Sequence, residues 1–574
     1  MSAAPPGISR QQRSRSALDA APGRNVRVIS WCLVAAVGLL QVCARRNAMA
    51  PDGISYIELA SASLVQGLHA LTNAYWSPLY PFLIRVVFAL FHPSMMWQFT
   101  LVHGLNFLIF LMSYASFNVF LGELVAVHGA APAEGYGYSA MSPRLLAIFS
   151  ALFFLWAAQF WLSPSFVNPD MCVAALVYLA TAFLLRMLRT SVAWPTWIFF
   201  GIILGLAYLA KAAMFPLAFI FLACALLLAW RKETAMHAIS GTVLALLVFL
   251  AIAGPWITAI SHAKGRWTFG DSGKIAYAEY VDGAALTTHW QGQPPGTGTP
   301  KHPTRQILAD PPMYEFAQPI PGSYPPWYDA SYWYDGIRPH FALRGQLWVL
   351  FRALNAYFKM FSKTGVLYIV GVALFLVLRR GARWQSISPA MWLVFFPSIA
   401  ALGLYALVLV EFRYVSPFAL MLLLWLIYRI EIPRVTNSRF LRCLRLAALV
   451  APAVAIAWPI LRDTRTIIRN APDEQWQVAS ALPAMGVPSG TPLATIGSGL
   501  DAYWAHLAGD RIIAEIPTKD QEQFVAADPA RKQSILQKFT NAGAQAVLTK
   551  NPAVAKSTPG WHRIGNTQYY LWRP

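Results

Sequence analysis

The sequence predicts a mostly α, polytopic membrane protein of about eleven transmembrane helices, with a small C-terminal α/β domain outside the membrane. Three observations carry that expectation. Only 12% of the 574 residues are charged while 57% are hydrophobic and 14% aromatic, against about 25% charge in soluble globular chains. Mean hydropathy is +0.46. The apolar residues fall into runs long enough to span a bilayer core, which takes about 17–25 residues as a helix. The chain after Leu461 changes pattern, alternating short β-type runs with helical ones. So little charge cannot cover a soluble surface of this size, which excludes an ordinary cytosolic enzyme, a disordered chain and a nucleic-acid-binding module.

Spans are expected near 26–43, 97–121, 144–162, 171–187, 196–210, 213–230, 238–260, 364–380, 389–410, 414–430 and 441–461. The fifth and sixth are separated only by Lys211 and a Phe215-Pro216 turn. The net charge of +20 suits a polyanion binder. It suits equally the excess of Lys and Arg that membrane proteins keep in cytoplasmic loops. The tail after Leu461 holds 12 basic and 9 acidic residues, so +17 of the charge belongs to the membrane part, where the second reading expects it. Arg10, Arg13, Arg15 and Arg24 hold the N-terminus inside. Eleven alternating spans then put Arg186/Arg189, Arg231/Lys232, Arg379/Arg380/Arg383 and Arg429/Arg434/Arg439 on the cytoplasmic side, while the loop with Glu123 and Glu134 carries little signal. The first span is no cleavable signal, lacking a small-residue site before Arg45. The expected location is the inner (plasma) membrane, with residues 1–25 a disordered cytoplasmic tail, 26–461 the membrane domain and 462–574 a periplasmic accessory domain.

Segments 44–96, 261–363 and 462–574 face outward in this scheme. The tail predicts strands at Pro492–Ile496, Arg511–Ile516 and Gln545–Thr549, and a hairpin over Trp561–Trp572 that turns at Gly565-Asn566-Thr567. Helices are expected at Asp473–Met485, Asp501–Ala508 and Pro529–Ala542. No glycine-rich phosphate loop follows a strand. Cys32, Cys43, Cys172, Cys224 and Cys443 lie in or beside apolar runs and build neither a disulfide framework nor a metal site.

Ionisable groups at or in a membrane are expensive and mark function, and four outward positions stand out. Asp52 opens an interfacial helix in Pro51-Asp52-Gly53-Ile54-Ser55-Tyr56, with Tyr56 one turn on. Asp170 opens span four after Asn168-Pro169. Each reads either as a helix cap or as half of a carboxylate pair fit for general-base work, for orienting a hydroxyl or for holding a cation. Lys211 is a lone charge in a long apolar stretch, either snorkelling to the interface or facing a phosphate. Glu411-Phe412-Arg413-Tyr414 stands between spans nine and ten. There Arg413 either neutralises Glu411 or offers its forked donors to phosphate oxygens. Trp76-Ser77-Pro78-Leu79-Tyr80-Pro81, before an apolar run broken only by Arg85, has the look of an interfacial re-entrant segment. Trp290, Trp327, Tyr328, Trp333 and Tyr334 in the large outer loop suit sugar stacking or an aromatic belt equally.

Taken in order, D-G-x-x-Y-x-x-x-A from Asp52, then S-P-L-Y-P, then a second Asp opening a span, then G-L-x-Y-L-x-K ending at Lys211, and a late Arg413-Tyr414, the chain over roughly 20–430 resembles the bacterial GT-C glycosyltransferases. The protein mannosyltransferase and lipid A aminoarabinose transferase-like group is the nearest part of that superfamily. The resemblance implies a GT-C-like fold and inverting transfer of a sugar from a polyprenyl-phosphate donor to an acceptor hydroxyl of a glycan, lipid or protein at the outer membrane face. It implies Asp52 as catalytic carboxylate, Asp170 as supporting carboxylate, and Lys211 and Arg413 neutralising the departing phosphate. Tyr56 and Tyr414 become hydroxyl partners. No cofactor, metal or nucleic acid is expected; the lipid-linked sugar is a substrate. Many relatives carry Asp-Glu where this chain has Asp52-Gly53, and Glu58 lies on another helix face. Two other readings compete: a lipid or solute transporter (a flippase), with the lone charges lining its path, and an assembly partner acting through its tail.

Overall fold

The computed structural model describes residues 24–129, 138–139, 143–284, 289, 304–318, 322–328, 337–362, 365–379, 383–384, 388–433, 438–497 and 499–574. Arg10, Arg13, Arg15, Glu134, Trp290, Trp333, Tyr334, Arg380 and Arg434 lie outside these residues, as do residues 1–23 of the expected 1–25 tail; its last two positions, Arg24 and Asn25, begin the first helix.

The chain is a mostly α, polytopic membrane protein carrying a small C-terminal sheet. A helix stands at each of the eleven expected span positions: α1 (Arg24–Ala44), α4 (Met95–Gly129), α5 (Pro143–Phe160), α6 (Asp170–Arg189), α7 (Trp194–Ala210), α8 (Met214–Trp230), α9 (Ala235–Lys264), α12 (Val366–Arg379), α13 (Pro389–Ala406), α14 (Phe412–Tyr428) and α15 (Ser438–Arg469). Among the described residues six of these positions are long and apolar enough to cross a membrane outright. Most of the others are 17-residue helices, about 25 Å long, slightly short of a ~30 Å hydrocarbon core. Between the spans lie α2 (Pro51–Gln66), α3 (Leu79–Phe91), α10 (Ser272–Tyr280) and α11 (Leu343–Ser362).

The loops sort to two ends of the bundle, as the charge pattern requires. At one end Arg189 pairs with Glu123 at 2.9 Å, and Lys232 donates to the Leu188 and Thr190 carbonyls. At that same end Tyr138–Ser139, Ile430–Pro433 and Arg383–Trp384, from three separate loops, form a small antiparallel ribbon. The opposite end carries α2, α3 and the C-terminal sheet.

That sheet has seven strands: β1 (Arg305–Ala309), β2 (Pro312–Glu315), β3 (Pro492–Ile496), β4 (Arg511–Ile516), β5 (Ala546–Thr549), β6 (Trp561–Arg563) and β7 (Tyr570–Trp572). Its order is β1-β2-β4-β3-β5-β7-β6, with β3 parallel to both β4 and β5 and the remaining pairs antiparallel. The central strands are apolar and buried, as parallel strands covered on both faces must be. The strands and hairpin expected from the tail are all present. The two extra strands come from the loop 261–363, and β2 pairs with β4 of the tail, so strands from both segments share one sheet.

Two close approaches set the helix packing near the outer end. Gly201 and Gly205, one turn apart on α7, face α9 so tightly that a Cβ would meet the Ala245 carbonyl at 2.5 Å and Ile252 at 2.8 Å. Small residues at such spacing let membrane helices touch backbone to backbone. Gly53 does the same for α2, where a Cβ would lie 2.9 Å from that of Val167.

Candidate active site

Pro51 starts α2 and Pro169 precedes α6, in keeping with the fixed φ that proline lends to a first turn. Both aspartates therefore sit in first turns, and neither caps its helix. Their carboxylates turn instead to two cations. The Lys211 ammonium donates to Asp170 Oδ1 at 2.5 Å. The Arg413 guanidinium bridges both acids, with Nη2 donating to Asp52 Oδ2 at 3.2 Å and Nε 3.5 Å from Asp170 Oδ2. These contacts replace three local readings at once. The caps are not made, Lys211 does not reach for the interface, and Arg413 serves the aspartates rather than Glu411.

Tyr414 completes the cluster. Lys211 Nζ lies 3.2 Å from the centre of its ring, a cation–π contact, and its hydroxyl is 3.3 Å from Arg413 Nη2. Tyr56 packs edge-on against Trp76 and Tyr80, at centroid distances of 5.0 and 5.2 Å. Burial, then the charges of Asp52 and Asp170, push the Tyr56 phenol well above its usual range, so it remains a hydroxyl. The structure thus brings together all six residues singled out in the sequence. Within the cluster exposure is uneven: the Asp52 side chain is 44% exposed and that of Asp170 only 4%. Asp52 is the carboxylate a second molecule can reach.

Residues missed in the sequence hold this geometry. His103 and Asn106, one turn apart on α4, bond to opposite arms of the site. His103 Nε2 meets the Ala48 carbonyl at 2.8 Å, just before α2, and Asn106 donates to the Phe166 carbonyl at 3.0 Å, just before Asp170. Tyr80 in turn donates to Asn106 at 2.6 Å. A His and an Asn at i and i+3 inside an apolar span were the available signal. At the far side, Ser261 and Thr268 bond reciprocally, and Asp271, held bidentately by Arg266, donates its backbone N–H to the Ala74 carbonyl at 2.6 Å.

Glu58, six residues along α2 from Asp52, faces elsewhere. Its Oε1 accepts from the Ser323 backbone N–H at 2.9 Å and lies 3.2 Å from His506 Nδ1; His506 Nε2 is 2.9 Å from Gln98 Oε1. Ser55 beside it donates to the Trp327 carbonyl. Trp327 is fully buried and donates to the Leu500 carbonyl, so it neither stacks on a ligand nor belongs to an interfacial belt. Among the described residues no group of three or more His, Cys, Asp and Glu is arranged to hold a metal.

Fold and site define a polytopic membrane protein with a carboxylate–cation cluster at one membrane face, beneath a mixed sheet. In fold the chain is similar to ArnT from Cupriavidus metallidurans. Its apo crystal structure matches with a TM-score of 0.51 at 14% identity, covering 95% of this chain and 97% of that one. The same protein bound to undecaprenyl phosphate matches with a TM-score of 0.53 at 14% identity, covering 96% and 98%. No protein-family model and no curated protein sequence matches the chain.

Proposed function

We propose that this protein is an inverting glycosyltransferase that moves a sugar from a polyprenyl-phosphate donor to an acceptor hydroxyl at the outer face of the inner membrane. Its N-terminus is cytoplasmic, and the site and C-terminal sheet are periplasmic. The observation that carries the reading is the bridging of Asp52 and Asp170 by Arg413, with Lys211 on the buried acid. A similarly folded protein bound to undecaprenyl phosphate adds support.

The donor phosphate lies against Lys211 and Arg413, where it competes with Asp52 for the guanidinium. Asp170 keeps both cations in place, since its two oxygens are engaged by them. Asp52, released on the accessible side, accepts a hydrogen bond from the acceptor hydroxyl and takes its proton as the oxygen attacks the anomeric carbon. The new C–O bond forms as the bond to phosphate breaks on the opposite face, and the electron pair leaves on the phosphate. That leaving group needs no proton, only fixed positive charge where negative charge develops; the acceptor needs one base.

The test is transfer from a panel of radiolabelled polyprenyl-phosphate sugars by protein in lipid, with native membrane extract as acceptor. Wild type and Asp52→Asn are run side by side. Label reaching a new product only with wild type, while Asp52→Asn still binds donor, supports the assignment. Full turnover by Asp52→Asn removes that residue from the chemistry. Labelled lipid crossing the bilayer unreacted makes the protein a transporter.

A further inference from the structure

One hydroxyl beside the cluster has no role in the scheme above. Tyr405 lies in the last turn of α13, at the membrane face that holds the site, and is 92% buried by its 8% exposure. Its ring packs against that of Tyr414, centroids 5.6 Å apart. Tyr414 is the ring under the Lys211 ammonium and beside the Arg413 guanidinium.

Yet this hydroxyl is enclosed and has no hydrogen-bond partner among the described residues. Asp170 does not supply one, since it directs Oδ1 to Lys211 and Oδ2 to Arg413. Three other tyrosines of the membrane part are matched, Tyr357 by the Leu402 carbonyl at 2.6 Å, Tyr80 by Asn106 and Tyr208 by the Phe269 carbonyl, while Tyr178, enclosed two turns along α6 from Asp170, has no partner among the described residues. A buried hydroxyl without an acceptor carries a desolvation cost that a phenylalanine would not incur. A donor kept unmatched on a tyrosine packed against the ring that Lys211 and Arg413 flank lacks one thing, an anionic oxygen.

We propose that Tyr405 is a substrate-binding residue whose hydroxyl donates to an oxygen of the lipid-linked phosphate held by Lys211 and Arg413. This rests on the donor reading given above. The phosphate gains a neutral donor alongside two cationic ones, at the end of a membrane span where the polyprenyl chain would enter. No bond is made or broken by Tyr405.

The substitution Tyr405→Phe removes only the oxygen and so separates a ligand role from a structural one. Undecaprenyl phosphate, undecaprenol and inorganic phosphate are titrated against the full-length protein in nanodiscs, with thermal unfolding of each unliganded protein in parallel. The expected result is undecaprenyl phosphate binding weakened about tenfold by the loss of a hydrogen bond to a charged group. Undecaprenol binding should not change, and the unliganded variant should unfold at the same temperature as wild type or higher. Equal affinity of the two proteins for undecaprenyl phosphate overturns the proposal, as does a less stable unliganded Tyr405→Phe, because the hydroxyl is then satisfied within the fold. Inorganic phosphate binding as tightly as undecaprenyl phosphate overturns the lipid-linked assignment. Failure of wild type itself to bind undecaprenyl phosphate removes the donor reading together with this one, which distinguishes the two failures.

Discussion

Asp52 and Glu58 are carboxylates on one short helix, a turn and a half apart, and they live in opposite surroundings. Asp52 is nearly half exposed and shares a guanidinium with Asp170. Glu58 is 6% exposed and enclosed by the Ser323 backbone N–H and by the His506 imidazole, from the C-terminal helix Tyr503–Ala508. The first pair leaves an accessible face and a cation that an incoming anion can claim. The second leaves no route for a substrate, although Glu58 Oε2 is itself without a hydrogen-bond partner among the described residues. In the proposed reaction the same functional group thus serves chemistry at one end of α2 and assembly at the other. The difference lies in what the fold brings to each carboxylate. It also gives the C-terminal sheet a part in the site, because the helix carrying Asp52 is fastened from outside by Ser323, Trp327 and His506.

The comparison breaks most sharply at its charged end. Asp52→Asn should lower transfer by about 10²–10⁴-fold, the usual worth of a positioned base, while leaving thermal stability near that of wild type. A large fall in stability with transfer retained would exchange the roles assigned to the two acids. Gly53→Ala tests the spacing rather than the chemistry. The added methyl meets Val167, the residue three before Asp170, so α2 must retreat from the segment that delivers the second acid. A displacement near 1 Å is enough to cost about 10²-fold in turnover, with the overpacking itself costing about 1–3 kcal/mol. Undiminished turnover in Gly53→Ala would show that the separation of the two aspartates is not critical.

At the enclosed end the expected loss is in stability. Glu58→Ala removes the acceptor for Ser323 and the partner of His506, and breaking such a buried pair costs about 3–5 kcal/mol. Faster hydrogen exchange across 322–328 and 503–508, with the donor still bound, is the expected signature. An unchanged exchange pattern with donor binding lost would place Glu58 in the substrate site instead.

Much of this was legible in the sequence because the membrane imposes so few options. The positions of the eleven apolar helices follow from the length of apolar runs, and their sorting to two ends from Lys and Arg alone. The six polar residues of the cluster stood out for the same reason, as charges and tyrosines at the outer ends of apolar helices. What held each of them was not legible. Asn168-Pro169-Asp170 has every local mark of a helix start, and only the arrival of Lys211 and Arg413 from elsewhere in the chain draws the carboxylate away from its backbone. Trp327 looked available to sugars because its burial depends on Tyr324, Tyr503 and Leu500, partners that sequence spacing does not connect. Gly53 reads as a missing acid until the fold places Val167 against it, after which it reads as clearance. Tyr405 gave no signal, since an aromatic near the end of an apolar run is ordinary.

The smallest expected effect concerns a third acid, just before a strand of the C-terminal sheet. Asp510 precedes β4, is 1% exposed, and accepts from the Thr491 backbone N–H at 3.0 Å through one oxygen while the other has no partner among the described residues. Burial pushes its carboxyl up to about 7, only partly offset by the N–H groups of Thr491 and Gly490. A group raised in the folded state above its unfolded value of about 3.9 holds its proton more tightly when folded. Its stabilisation is therefore complete below about pH 4 and is lost as pH rises through 7. Asp510→Asn keeps an oxygen for the Thr491 N–H and removes the titration. The variant should gain stability over wild type above pH 7, and lose that advantage at pH 4. Amide exchange in β3 and β4 across that pH range measures it. Wild-type protection that rises between pH 5 and 8 relative to Asp510→Asn would mean that the carboxylate is favoured in the fold, and that burial at this position is outweighed by its hydrogen bonds. Transfer should be unaffected at every pH, because Asp510 reaches Glu58 through its backbone N–H on the Ala505 carbonyl, beside His506, and Asp510→Asn leaves that bond in place.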